Sequence, residues 1–110
     1  ADIKRSVTPE KITALAALQR EILSVVKHYV KPGGLMIYST CTVSKAENEE
    51  NMQWFEEHFP FGLESLDAYV PEKVRNEQTK AGWIQILPGQ YQSDGFFIAR
   101  FRRSRDEGAE

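Results

Sequence analysis

The sequence predicts an α/β domain in the order α-β-α-β-β, closing on an antiparallel hairpin at its C-terminus. Apolar residues recur at spacings of three and four across residues 8–30, as a helix with one buried side requires. A continuous apolar run, Leu35-Met36-Ile37-Tyr38, follows a helix stop. Two strand-like segments, 83–87 and 95–101, are joined by a connection holding Pro88 and Gly89.

The 110 residues are 41% hydrophobic and 27% charged, with 14 Lys plus Arg against 16 Asp plus Glu for a formal charge of -2. That composition describes one soluble domain, expected over residues 1–104 with a frayed tail at 105–110. No apolar run approaches the roughly 18 residues needed to span a bilayer, and no basic-then-apolar leader opens the chain. A cytoplasmic protein with no membrane partner is the expectation. The acidic balance argues against a free-standing basic nucleic-acid binder, so any RNA contact must be local or shared with another segment. Cys41 is the only cysteine, which excludes an internal disulfide and a multi-cysteine zinc site; no metal is expected.

Thr8 suits the cap of the first helix, Pro9 its first position and Glu10 the positive end of its dipole. Ile12, Leu15, Ala16, Ile22, Leu23, Val26, Tyr29 and Val30 form the stripe, and Leu18 and Val25 widen it, so burial on one broad side is expected. Gln19 lies within the stripe and needs hydrogen-bond partners there. Lys31-Pro32-Gly33-Gly34 ends the helix. The apolar run that follows has the pattern of a strand covered on both faces, usually a parallel member of an α/β sheet. Cys41 therefore falls just past the carboxyl end of a strand, where open α/β sheets place ligand sites.

Ser44-Lys45-Ala46-Glu47 has capping-box spacing, and a second helix is expected over residues 45–58 with Met52, Phe55 and Phe59 on one face. Its glutamates read as a solvated surface. Pro60-Phe61-Gly62 breaks it, residues 63–66 suggest a short strand, and residues 67–82 an irregular excursion with one helical turn near Glu72–Arg75. Arg102, Arg103 and Arg105 after the last strand read as a solvated end, with RNA phosphate the alternative. A doubly covered strand with no parallel neighbour in the chain suggests half of a larger sheet, with self-association along the uncovered edge or the apolar face of residues 12–30.

On residue chemistry alone, Cys41 is either a thiol activated by nearby amide dipoles or a buried, inert cysteine. A hydrolase pairing it with His28 or His58 is disfavoured, because both histidines close helices away from the strand tip. The segment Tyr38-Ser39-Thr40-Cys41-Thr42-Val43, followed by Glu47-Asn48-Glu49, resembles the nucleophile motif of RNA cytosine-5 methyltransferases of the NOL/NOP/Sun family. Asp2-Ile3-Lys4, Leu18-Gln19 and Lys31-Pro32-Gly33-Gly34 resemble the stretch leading into that motif. Leu87-Pro88 with Asp94-Gly95-Phe96-Phe97-Ile98-Ala99 resembles the family's C-terminal hairpin. The similarity is greatest to the bacterial RsmB/Sun group, which modifies a cytosine of 16S ribosomal RNA.

That resemblance implies the C-terminal half of a Rossmann-like, S-adenosylmethionine-dependent methyltransferase fold, a partial domain over residues 1–104. It implies that the Cys41 thiolate adds to carbon-6 of cytosine, and that the resulting enamine takes the methyl group at carbon-5. Thr40, Asp94, Gly95, Phe96 and Phe97 are candidate substrate contacts, with one phenylalanine placed against the flipped base. Ser44, Glu47 and Asn48 would organise the loop behind the thiol. The family's glycine-rich loop, ribose-binding acid and second, Pro-Cys cysteine have no counterpart here. No cofactor-binding residue is therefore expected in this chain, and it should be inactive alone. The alternative is a non-enzymatic RNA- or protein-interaction module derived from the same fold.

Overall fold

A computed structural model describes residues 8–92 and 94–105. Helix α1 (Pro9–Val26) opens at Thr8, whose Oγ1 accepts the Lys11 amide at 3.1 Å, and runs on into a 3-10 turn at Lys27–Tyr29. Strand β1 (Leu35–Thr40), helix α2 (Glu49–His58), strand β2 (Phe61–Leu63), helix α3 (Glu77–Ala81) and strands β3 (Trp83–Ile86) and β4 (Phe96–Arg103) follow.

The last strand organises the sheet. β4 pairs with β1 along one edge, Leu35 opposite Arg102 and Thr40 opposite Phe97. Along its other edge it pairs with β2 at one end and β3 at the other. Every pairing is antiparallel, and β3 with β4 makes the expected hairpin. Gly95 permits its return: its φ is +96°, and an added Cβ would sit 3.1 Å from the Ile86 carbonyl oxygen and from Pro88.

Alternation along β4 divides the core. Phe97, Ala99 and Phe101 face α1 and α2, packing with Leu23, Met36, Met52, Phe55 and Phe61. Phe96 and Ile98 face the other side, against a smaller cluster of Leu66, Ile84 and Ile86. As expected, Met52 and Phe55 of α2 are buried and Phe59 packs against them.

Several expectations are corrected. β1 pairs antiparallel with β4, and among the described residues only one of its faces is covered: Met36 is buried, but Leu35 and Ile37 are 45% and 56% exposed. α1 buries only Ala16 and Leu23, leaving Leu15, Leu18, Ile22 and Val25 exposed, and Tyr29 of the 3-10 turn is exposed as well. The period marks the helix, but among the described residues only part of its stripe meets the sheet and α2. The short strand lies at residues 61–63, earlier than expected. α2 begins at Glu49, residues 45–48 forming turns instead. The excursion carries more structure than one turn: 3-10 turns at Asp67–Tyr69 and Glu72–Val74 precede α3, where Asn76 and Thr79 cap reciprocally.

Arg102 and Arg103 lie within β4 rather than after it, and both guanidinium groups are engaged by the chain itself. Arg102 donates to the Glu64 carboxylate and to the Gly33 carbonyl, and Arg103 to the carbonyls of Lys27 and Val30, closing the end of the first helical segment. The Arg102 guanidinium bond holds the Glu64 carboxyl below its ordinary range. Residues 106–110 of the expected tail, and Asp2-Ile3-Lys4, lie outside the described residues.

Candidate functional site

Cys41 follows β1 directly and is exposed. By its exposure at the end of the strand it departs from the buried alternative. It lines a cavity of about 670 Å³ with Lys11, Ile12 and Leu15 of α1, Thr42, Val43, Ser44 and Glu47 of the following loop, and Pro88 and Asp94 of the hairpin connection. The first turns of α1 thus form one wall, a contribution that a burial-oriented reading of their spacing misses.

The loop is held from beneath by a buried amide. Asn48 has no exposed surface. Its Oδ1 accepts the Thr40 hydroxyl at 2.5 Å, and its Nδ2 donates to the Thr42 carbonyl at 2.8 Å and to Gln85 Oε1 at 2.7 Å. Thr40 therefore turns away from the cavity as a support for the loop. Thr42 Oγ1 accepts the Ser44 amide, and Ser44 Oγ accepts the Glu47 amide at 3.4 Å. Only that half of the expected capping box forms. The Glu47 carboxylate instead accepts Gln19 Nε2 at 3.2 Å, which supplies the partner Gln19 needed.

Behind this loop lies a second buried amide, Asn51, which sequence reading did not single out. Arg20 Nε donates to its Oδ1 at 2.7 Å, and its Nδ2 donates to Gln19 Oε1 at 3.0 Å. Tyr38 donates its hydroxyl to the Glu47 carbonyl. Desolvation holds the Tyr38 phenol above its ordinary value of 10.0; Glu47 adds to the shift, while the Asn51 bond and Arg20 oppose it. The folded chain then retains this proton where the unfolded chain has lost it. The resulting stability is complete below about pH 10 and lost as pH rises through the folded value. Tyr38→Phe should flatten the fall in urea midpoint above about pH 10; an identical alkaline profile in both chains would assign that fall to other groups.

The two hairpin phenylalanines are separated by the sheet. Phe97 has no exposed surface and stacks edge-on against Tyr38 at 6.2 Å, so it is a core residue and cannot meet a base in this arrangement. Phe96 is partly buried on the opposite face, where it lines a second, apolar cavity of about 420 Å³ with Ile37, Ile84 and Ile98. Strand alternation forbids both from facing Cys41. Asp94 is exposed at the mouth of the cysteine cavity, and Gly95 is buried at the turn.

A phosphate cradle needs unbonded amides, and Gly33-Gly34 has none to offer. The Gly33 amide donates to the Arg103 carbonyl at 2.9 Å and that of Gly34 to the Lys31 carbonyl at 2.8 Å, so these glycines do not fit a nucleotide-like cofactor. Among the described residues no cluster could hold a metal ion, and no helix is long and apolar enough to cross a membrane.

A cysteine at the tip of a strand, between a crossing helix and an antiparallel C-terminal hairpin, is the layout of a partial Rossmann-like methyltransferase fold. Solved structures agree. The chain superposes on a methyltransferase homologue from Pyrococcus horikoshii with a TM-score of 0.73 and 30% identity, over 88% of this chain and 33% of that one. On NSun6 from the same organism, determined with SFG, the TM-score is 0.76 at 28% identity, over 92% and 25%.

The sequence model of the 16S rRNA methyltransferase RsmB/F family matches residues 1–102, and the chain belongs to that family. Among curated relatives, ribosomal RNA small subunit methyltransferase F of Pectobacterium carotovorum is 41% identical over 99 residues, and that of Salmonella agona 38% over 104. These alignments cover 88% and 93% of this chain but 20% and 22% of the relatives. The chain therefore spans about a fifth of the length of the relatives it matches.

Proposed function

We propose that the chain supplies the nucleophile of a cytosine-5 methyltransferase acting on 16S ribosomal RNA in the cytoplasm, with Cys41 as the attacking residue. The observation that carries this reading is the exposed Cys41 in a roomy cavity at the sheet edge, within a chain whose family acts on ribosomal RNA. Carbon-5 of cytosine is a poor nucleophile. Addition of the Cys41 thiolate to carbon-6 places electron density on carbon-5, and the later loss of the carbon-5 proton expels the thiolate. Asp94 lines the approach of the base and Gly95 turns the hairpin that carries it, while Thr40, Ser44, Glu47 and Asn48 hold the loop. S-adenosylmethionine is the methyl donor of the complete enzyme, seated on the part of the fold that this chain does not span.

The test joins the chain to the upstream portion of the Pectobacterium relative and offers RNA carrying 5-fluorocytosine, which traps the covalent stage because fluorine cannot leave as a proton does. A stable protein–RNA adduct should form with Cys41 and vanish in Cys41→Ser. An adduct that survives the substitution overturns the assignment. The unmutated relative, run in parallel, establishes that the RNA is competent, and circular dichroism of the hybrid establishes that it is folded. Calorimetric titration of the chain alone with S-adenosylmethionine should give no heat of binding; micromolar affinity would place a donor site within these residues.

By itself the chain self-associates, and its inactivity alone follows from the missing donor site. Support comes from the exposed Leu18, Ile22 and Val25 of α1, and from a β1 whose second edge carries no strand among the described residues. Sedimentation should show mass rising with concentration, and Ile22→Lys should reduce it. A clean monomer at high concentration refutes this.

A further inference from the structure

Gln85 is a polar residue in Trp83-Ile84-Gln85-Ile86, and alternation turns it with Trp83 towards the helices. An amide there requires partners, and it has them on both sides of the site. Its Oε1 accepts from Asn48 Nδ2 at 2.7 Å, and its Nε2 lies 3.1 Å from the Phe96 carbonyl and 3.4 Å from the Thr42 carbonyl. The Thr42 carbonyl, one residue past the cysteine, is thus drawn inward by Asn48 and Gln85 together.

The peptide that carries this carbonyl also carries the Val43 N–H. In a trans peptide the two groups point in opposite directions, and no cis bond occurs here. Pulling the Thr42 oxygen inward must therefore turn the Val43 N–H outward, towards the cavity that Cys41, Thr42 and Val43 line. No partner for that N–H is found among the described residues, whereas the neighbouring Thr42 and Ser44 amides have threonine acceptors.

We propose that Gln85 is a positioning residue for Cys41: with Asn48 it locks the 42–43 peptide so that the Val43 N–H is presented beside the thiol as a hydrogen-bond donor. A donor fixed there stabilises negative charge on the attacking sulfur or on the ring it has entered, and it needs no reorganisation during the reaction. This rests on Cys41 being the nucleophile, but its test needs neither RNA nor methyl donor, so the two readings fail separately.

In the unmutated chain, the Val43 amide should exchange with deuterium within about threefold of the unprotected rate, while the Asn48 side-chain amide protons exchange far more slowly. Protection of Val43 by a hundredfold or more would overturn the proposal without any variant. Gln85→Leu removes all of these side-chain bonds at similar volume, and Gln85→Glu keeps only the acceptor. Both should slow carboxamidomethylation of Cys41 by iodoacetamide by threefold or more, relative to a surface thiol placed by Glu57→Cys in a Cys41→Ser background. Equal rates in a folded variant, or the same slowing at residue 57, would reduce Gln85 to a packing role.

Discussion

Phe55→Ala should lower the unfolding free energy by about 3–5 kcal/mol, the largest effect expected of any single truncation in the chain. Phe55 has no exposed surface, and its ring lies 4.8 Å from Phe61, 5.0 Å from Phe101 and 5.3 Å from Phe59. It is the point at which α2, β2 and β4 meet, so no neighbour can collapse into the space without moving an element. Small domains hold only about 5–15 kcal/mol in total, so much of the population should be unfolded at 37 °C. Phe55→Leu keeps most of the volume and should cost under about half as much, losing mainly the edge and tilted ring contacts. Urea titrations of the three chains decide the matter: a loss below about 1.5 kcal/mol for the alanine chain would mean that the aromatic cluster repacks.

Asn48→Ala should cost about 2–4 kcal/mol, more than its size suggests, because it strands partners on three sides. The Thr40 hydroxyl loses its acceptor, Gln85 Oε1 its donor, and the Thr42 carbonyl its shorter bond. Thr40→Val and Asn48→Ala together should cost less than the sum of the singles, since the second change removes the group orphaned by the first. Asn48→Asp is the sharper probe. One carboxylate oxygen still accepts from Thr40, but the other faces the Thr42 and Gln85 oxygens, which disfavours the ionised form and raises its folded pKa. Its deficit against wild type should therefore shrink as pH falls and the carboxyl protonates; a deficit independent of pH between about 4 and 7 would disprove the oxygen-facing geometry.

Much of this organisation is legible in local sequence because the signals are local. Thr8-Pro9-Glu10 starts a helix wherever it stands, Pro32-Gly33 ends one, and the placing of Cys41 just after β1 follows from that register. Gln19 shows how far such reasoning extends: its need for a partner could be stated, but its partners Glu47 and Asn51 are contributed by residues far along the chain. Gln85 left a fainter trace, a polar side chain on the inward-facing parity of a strand, which becomes informative only when the opposite face is known.

The sequence by itself determined the element types, the hairpin and a thiol at the end of a strand, since backbone propensities and side-chain periods act over a few residues. Tertiary structure alone decided that β4 is central and every pairing antiparallel, that Phe97 is core, that Arg103 closes a helix end while Arg102 ties Gly33 to Glu64, and that Asn48 and Gln85 converge on one carbonyl. Those outcomes join residues tens of positions apart. Which distant amide meets which carbonyl is set by sheet order and packing, where hydrogen-bond demand must be met inside a low-dielectric interior.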